Sequence, residues 1–224
     1  MAKLILLRHL LSQWNEENRF SGWIDTPLAE GQSKKAKELA QKIFRFKIDK
    51  IYCSILFRNM DTVARILEYD KKYPLYVHLD PGKMKDWGHF KDISQYDIPV
   101  YVTEKLNERY YGKLQGLNKK EIIEKEGGEI VRLWRRSWNQ APPGGESLQD
   151  VFKRTVSFYK KYIENDLKKG ENVLIVGSHN SLRALVKHIE KVSDKKIINV
   201  EIPYAGVIEY NFDESLKLRA KKTL

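Results

Sequence analysis

The chain has 224 residues, is 42% hydrophobic, and carries 41 Lys and Arg against 30 Asp and Glu, a formal charge of +11. That is apolar material for one full core without a compositional sign of disorder, and the cationic excess favours anionic partners without choosing among nucleic acid, membrane surface and phosphorylated metabolites. Cys53 is the only cysteine, which excludes an internal disulfide and argues against a thiolate metal cluster, and no apolar run approaches the ~20 residues that span a bilayer.

The chain enters a strand-like run directly, with no leader-like segment, so a cytoplasmic protein is expected. Leu4-Ile5-Leu6-Leu7 is an unbroken apolar run of strand length, which suits a strand buried on both faces, and it stops at Arg8-His9. Neighbouring strand residues point to opposite faces, so Arg8 and His9 serve one site only if the chain turns there. A neutral imidazole can attack phosphorus, and a guanidinium beside it holds phosphate oxygens and disfavours imidazole protonation.

The polar stretch ENRFSGWIDTP after Asn15 reads as a loop, in which the amides of Ser21 and Gly22 are placed to cradle an anion. From Leu28 the pattern turns helical, with Ala36, Leu39, Ala40, Ile43 and Phe44 on one face. Ile51–Ser54 reads as a second short strand, followed by a helix through Met60, Val63, Ala64 and Leu67 with Arg58 near its start. The region 69–102 is broken by Pro74, Pro81, Gly82, Gly88 and Pro99; Leu75–Leu79 suits a strand, and the rest reads as an excursion at about 70–102 from a single domain spanning 1–224. His78 and His89 lie there without a metal-ligand pattern, and no metal is expected.

Helical patterns follow at Lys119–Glu126 and Glu129–Asn139. After the rigid QAPPGGES, Ser147 and Asp150 match a capping box that opens a long amphipathic helix closing near Gly170. Asn172–Gly177 reads as another buried strand, and His179 stands at its end, where a helix N-terminus favours an anion. Gly206–Phe212 reads as the last strand, with the basic KLRAKKTL as a tail. An α/β fold results. Right-handed crossovers make its strand–helix units parallel, so Arg8, His9, Arg58 and His179 gather at one sheet edge.

The segments RHLLSQWN, FSGW, SILFR, LNERYYGKLQGLNK, RRSW, PPGGESL and HNSLRALVKH, in this order, resemble the cofactor-dependent phosphoglycerate mutases of the histidine phosphatase superfamily over most of the chain. The resemblance implies a three-layer αβα sandwich with a mostly parallel sheet. It also implies a mutase interconverting 3-phosphoglycerate and 2-phosphoglycerate in glycolysis and gluconeogenesis, primed by 2,3-bisphosphoglycerate. His9 would carry phosphate as a phosphohistidine; Arg8, Arg58 and His179 would bind the phosphoryl group with Asn15 and Asn180 assisting; Glu108 would relay the substrate proton. Arg109, Tyr111, Lys119, Arg135 and Arg136, with the amides of Ser21 and Gly22, would hold the rest of a small anionic phosphorylated substrate. Partial burial is expected to raise the pKa of Glu108 modestly.

Two positions depart from the family. Leu10 stands where the family has glycine, so a branched side chain is expected to crowd the phosphate loop, and His179 is followed by Asn180 without the family's intervening glycine. The stretch after Leu216 looks shorter than the tail that closes the site in many mutases, which favours hydrolysis. Two other readings therefore stand beside the mutase: a phosphatase on a small phosphorylated metabolite, and a catalytically silent basic protein that binds anions or nucleic acid. A homo-oligomer is compatible with all three.

Overall fold

The computed structural model describes residues 1–224. Seven strands form one sheet: β1 (Ala2–Arg8), β2 (Lys50–Ser54), β3 (Tyr73–His78), β4 (Asp97–Thr103), β5 (Val173–Gly177), β6 (Val207–Phe212) and β7 (Leu218–Thr223), in the order β3-β4-β2-β5-β1-β6-β7. The pairings from β3 to β1 are parallel; β6 and β7 are antiparallel to their neighbours. Nine α-helical segments accompany the sheet: α1 (Gln13–Glu16), α2 (Ser33–Ile43), α3 (Phe57–Glu68), α4 (Lys83–Asp86), α5 (Lys119–Glu126), α6 (Gly128–Arg136), α7 (Leu148–Phe158), α8 (Glu164–Lys168) and α9 (His179–Ile189).

The alternation within β1 builds the layers. Ile5 and Leu7 face a cluster with Leu39 and Ile43 of α2 and Val63 and Ile66 of α3. Leu4 and Leu6 face the opposite cluster with Ile163, with Leu167 of α8 and with Leu182 and Leu185 of α9. All four β1 side chains are fully buried, which accounts for the unbroken apolar run. The architecture is the expected three-layer αβα sandwich.

Register brings three strand ends level. Arg8 lies opposite Gly177 and Cys53 opposite Val176, so His9, Ser54 and Ser178 leave the sheet side by side. The His9 amide is still tied to the Gly177 carbonyl at 3.1 Å.

The long amphipathic pattern after Ser147 is capped as expected: the Ser147 hydroxyl accepts from the Asp150 amide, and the Asp150 carboxylate accepts from the Ser147 amide. It is not one uniform helix, because a π-helical turn at Tyr159–Ile163 joins α7 to α8. That wide turn keeps Tyr159, Ile163 and Leu167 in one core cluster.

The expected excursion at 70–102 is narrower in the structure. β3 and β4 at its two ends belong to the sheet, and only residues 79–96 stand away from it, exposing Met84, Trp87, Phe90 and Ile93. Pro99 within β4 is tolerated because β2 pairs with β4 only from Val100 onward, so no ladder bond to β2 needs the missing N–H. The basic tail is also a strand: β7 pairs with β6, and its exposed Arg219, Lys221 and Lys222 suit a sheet edge that must discourage further pairing. No helix is long and apolar enough to cross a membrane.

Leu10 does not crowd the loop. It is fully buried in the β1–α2–α3 cluster, and its amide donates to Thr62 Oγ1 at 3.1 Å. Because the side chain fills core volume, Leu10→Gly is expected to cost at least about 2 kcal/mol of stability, read from the urea midpoint.

Candidate active site

Just beyond the β1, β2 and β5 ends lies a pocket lined by Arg8, His9, Arg58, Glu108, His179 and Asn180, together with Asn15, Ser21, Gly22, Tyr111, Lys119 and Arg135. Twelve of the fourteen residues expected at the site therefore meet, although they span the chain from position 8 to 180. The five cations Arg8, Arg19, Arg58, Lys119 and Arg135 face a single carboxylate, Glu108.

His9 is almost wholly buried. Its Nδ1 lies 2.6 Å from the Leu10 carbonyl oxygen, which can only accept, so Nδ1 carries the proton and Nε2 keeps a free lone pair. Burial first, then the Arg58 and Arg8 charges, hold the imidazole pKa well below its ordinary value. At neutral pH the ring is unprotonated, and its Nε2 lone pair has the character that nucleophilic attack requires.

Arg8 donates through Nη1 to the Ile202 carbonyl at 2.6 Å, and its guanidinium lies over the Tyr204 ring at 3.7 Å. Arg58 donates to the carbonyls of Gly22 at 2.7 Å and Ile24 at 3.0 Å, which ties α3 to the SGW loop. The loop's shape depends on Gly22, at φ +52°, where a Cβ would meet the Gln115 side chain at 2.2 Å. Arg8 Nε, Arg58 Nε and His179 Nε2 are buried without an aligned hydrogen-bond partner. The two orphaned guanidinium donors at one pocket form a donor set that fits a phosphoryl group, whereas His179 Nε2 is turned towards Glu201, 3.1 Å away.

Glu108 is buried and held from several sides. One carboxylate oxygen accepts from the Arg109 amide at 2.7 Å, the Asn180 amide at 3.2 Å and Asn180 Nδ2 at 2.7 Å. The Glu108 carbonyl accepts from Trp23 Nε1 at 2.6 Å and Arg154 Nη2 at 2.9 Å. The expected rise in its pKa is overturned. Burial does push it up, but a charged His179, these amide donors and Arg58 outweigh burial and leave it lowered. Burial lowers the pKa of His179 to about 4, with Arg8 and Arg183 acting the same way against Glu201. His179 is thus neutral at pH 7, and the groups that still act against burial there are the amide donors and Arg58. Glu108 is therefore a carboxylate in the free protein, ready to accept a proton.

Two expected substrate residues lie elsewhere. Arg109 is fully buried behind the wall, with its guanidinium on the Trp134 carbonyl and 3.4 Å from Asn180 Oδ1. Arg136 donates to Glu201 and to the Ile198 carbonyl. Consecutive helical residues point about 100° apart, so α6 can aim only one of its terminal arginines at the pocket, and that one is Arg135. Asn180 lines the pocket, but its amide group is committed to Glu108 and its oxygen to Arg183 at 2.9 Å. Its place at the start of α9 follows from the Ser178–Ser181 capping box.

Sequence reading missed Arg19, Phe20 and Tyr204 in the lining, and Glu201 beside it. Arg19 sits in the loop already read as anion-binding, so its charge was the available signal. Tyr204 and Glu201 lie in EIPYAG, which offered none beyond a turn before the last strand.

Lys119 in the same lining is partly buried, and burial, then the charges of Arg135 and Arg8, lower its pKa to about 8. Above that pH the ammonium loses its proton and the pocket loses a cation. Substrate KM is expected to rise about tenfold between pH 7 and 9.5, the scale of one charge-assisted contact, and Lys119→Arg should flatten the rise.

The family model of the histidine phosphatase superfamily (branch 1) matches residues 4–94 and 89–219. A 2,3-bisphosphoglycerate-dependent phosphoglycerate mutase of Methanococcus vannielii is 41% identical over 96% of this chain and 92% of its own length, and one of Chlamydia pneumoniae is 42% identical over 95% and 94%. Among solved structures, a mycobacterial glucosyl-3-phosphoglycerate phosphatase bound to VO3 superposes with a TM-score of 0.73 at 23% identity, over 98% of this chain and 96% of that one. The chain belongs to the histidine phosphatase superfamily, among its 2,3-bisphosphoglycerate-dependent phosphoglycerate mutases.

Proposed function

We propose that this protein interconverts 3-phosphoglycerate and 2-phosphoglycerate through a phosphohistidine at His9, as an enzyme of glycolysis and gluconeogenesis in the cytoplasm. The observation that carries the reading is His9 itself: tautomer set by the Leu10 carbonyl, proton excluded by burial and two arginines, and Nε2 left free in a cationic pocket.

Phosphoryl transfer needs in-line placement and fixed positive charge more than covalent assistance. Arg8 and Arg58 supply that charge beside His9. Glu108, ionised and 2.7 Å from Asn180 Nδ2, accepts the proton of the substrate hydroxyl as that oxygen attacks the phosphohistidine, and returns it when His9 is phosphorylated again. Lys119, Arg135 and Arg19 grip the substrate's carboxylate and second anionic group, which a mutase must hold while the intermediate turns over. 2,3-bisphosphoglycerate, when bound, supplies the phosphoryl group that primes His9, and the orphaned donors of Arg8 and Arg58 suit it.

The second reading, a phosphatase, draws on one feature: none of residues 205–224 lines the pocket, so that stretch does not shield it from water. Conversion of 3-phosphoglycerate to 2-phosphoglycerate should be followed with and without the bisphosphate. Primer-dependent interconversion supports the mutase, whereas release of inorganic phosphate alone makes the protein a phosphatase.

A further inference from the structure

One carboxylate stands next to the cationic pocket with no part in the mechanism above. Glu201 lies on the segment between the 3-10 turn Lys196–Asn199 and β6. Its Oε1 is 3.1 Å from His179 Nε2 and 3.7 Å from Arg8 Nη1, and its Oε2 accepts from Arg136. The side chain is 52% exposed, whereas that of His179 is only 12% exposed.

Stability does not explain this arrangement, since half-exposed ion pairs contribute little. For a pocket that recruits anions, a carboxylate at its edge is a cost. The compensating gain lies on His179. An imidazole has two nitrogens, and the partner of one decides the orientation and proton of the other. With Nε2 turned to Glu201, Nδ1 is the nitrogen left for a ligand.

We propose that Glu201 is a positioning residue for phosphoryl transfer: its carboxylate takes up the Nε2 side of His179 and thereby presents Nδ1–H as a donor to a phosphoryl oxygen held between His179 and His9. The inference rests on the phosphohistidine reading. His179 makes and breaks no bond to phosphorus. It takes up one proton from solvent when the phosphoryl dianion arrives and returns it when that group leaves. In between, its two N–H groups face Glu201 and the phosphoryl oxygen.

The charged groups around the ring are Arg8 from the end of β1, Arg183 on its own helix, Glu201, and Glu108 and His9 across the pocket. Burial, Arg8 and Arg183 disfavour the imidazolium, so it needs an anion on each side. The phosphoryl group is one and Glu201 the other. The same logic holds an imidazolium between a buried carboxylate and a reacting centre in serine hydrolases.

Glu201→Gln keeps the shape and removes the charge. Its kcat at pH 8 should fall about tenfold with KM nearly unchanged, the alkaline limb of the kcat profile should move about one pH unit lower, and Glu201→Asp should recover part of both. An unchanged kcat profile in Glu201→Gln overturns the inference. An independent readout needs no turnover: 15N NMR of His179 in the protein saturated with inorganic phosphate. Both ring nitrogens protonated at pH 7 in the wild type, and only one in Glu201→Gln, is the expected result; a singly protonated wild-type ring overturns the proposal. A wild-type protein without mutase activity would count against the proposed function alone, leaving the phosphate titration to judge Glu201.

Discussion

His9→Asn is expected to lower turnover by about 10⁴-fold or more and to abolish labelling by 2,3-bisphosphoglycerate. Asparagine has nearly the volume of imidazole's proximal half and can keep the contact to the Leu10 carbonyl, but it offers no lone pair able to attack phosphorus. Removing the nucleophile of a covalent mechanism costs most of the catalysis, and what remains comes from binding and charge. The result is read twice, as kcat in the interconversion assay and as loss of the acid-labile, base-stable label. Substrate binding should survive, because Arg8, Arg58, Lys119 and Arg135 are untouched and the removed ring was neutral. A His9→Asn protein that still takes up label would place the nucleophile elsewhere and end the phosphohistidine reading.

Glu108→Gln is expected to reduce kcat by about 10²- to 10⁴-fold, the range for a lost general acid–base group. Gln can still accept from the Arg109 amide and Asn180, so the strand-end loop should hold its shape and denaturant stability should change little. The separation from His9→Asn lies in the label: His9 remains present and unprotonated, so its phosphorylation should be slowed but complete. With Glu108 lowered and ionised in the free protein, the wild type should also lose kcat as pH falls through the acid range, where the carboxylate gains a proton it must otherwise take from the substrate. That acid limb should be absent in Glu108→Gln, and its persistence would mean that another group relays the proton.

The parts of the fold that sequence disclosed are those whose burial leaves a local mark. β1, β2 and β5 are covered on both faces, so their residues form short unbroken apolar runs, and the helices beside them show one apolar stripe. β3, an edge, shows only the short run from Leu75 that suits a strand, and β4 and β7 leave no such mark: β4 contains Pro99, and β7, the other edge, reads LRAKKT with five of six residues exposed. The π turn at Tyr159–Ile163 is invisible in the same way, because a continuous amphipathic pattern does not reveal one turn that is wider than the rest.

At the site, the amino-acid sequence alone determined that His9 and His179 leave parallel strands at one edge, that arginines accompany them, and that long segments match a family, because strand length, capping and handed crossovers are local or topological rules. Tertiary structure decided everything that depends on direction and surroundings. It turned Leu10 into the core instead of the phosphate loop, chose Arg135 over Arg136 for the pocket, buried Arg109 behind it, and set Glu201 against His179. It also reversed the expected shift of Glu108, since a pKa is the sum of burial, hydrogen bonds and charges contributed by residues distant in the chain, and no local pattern carries that sum.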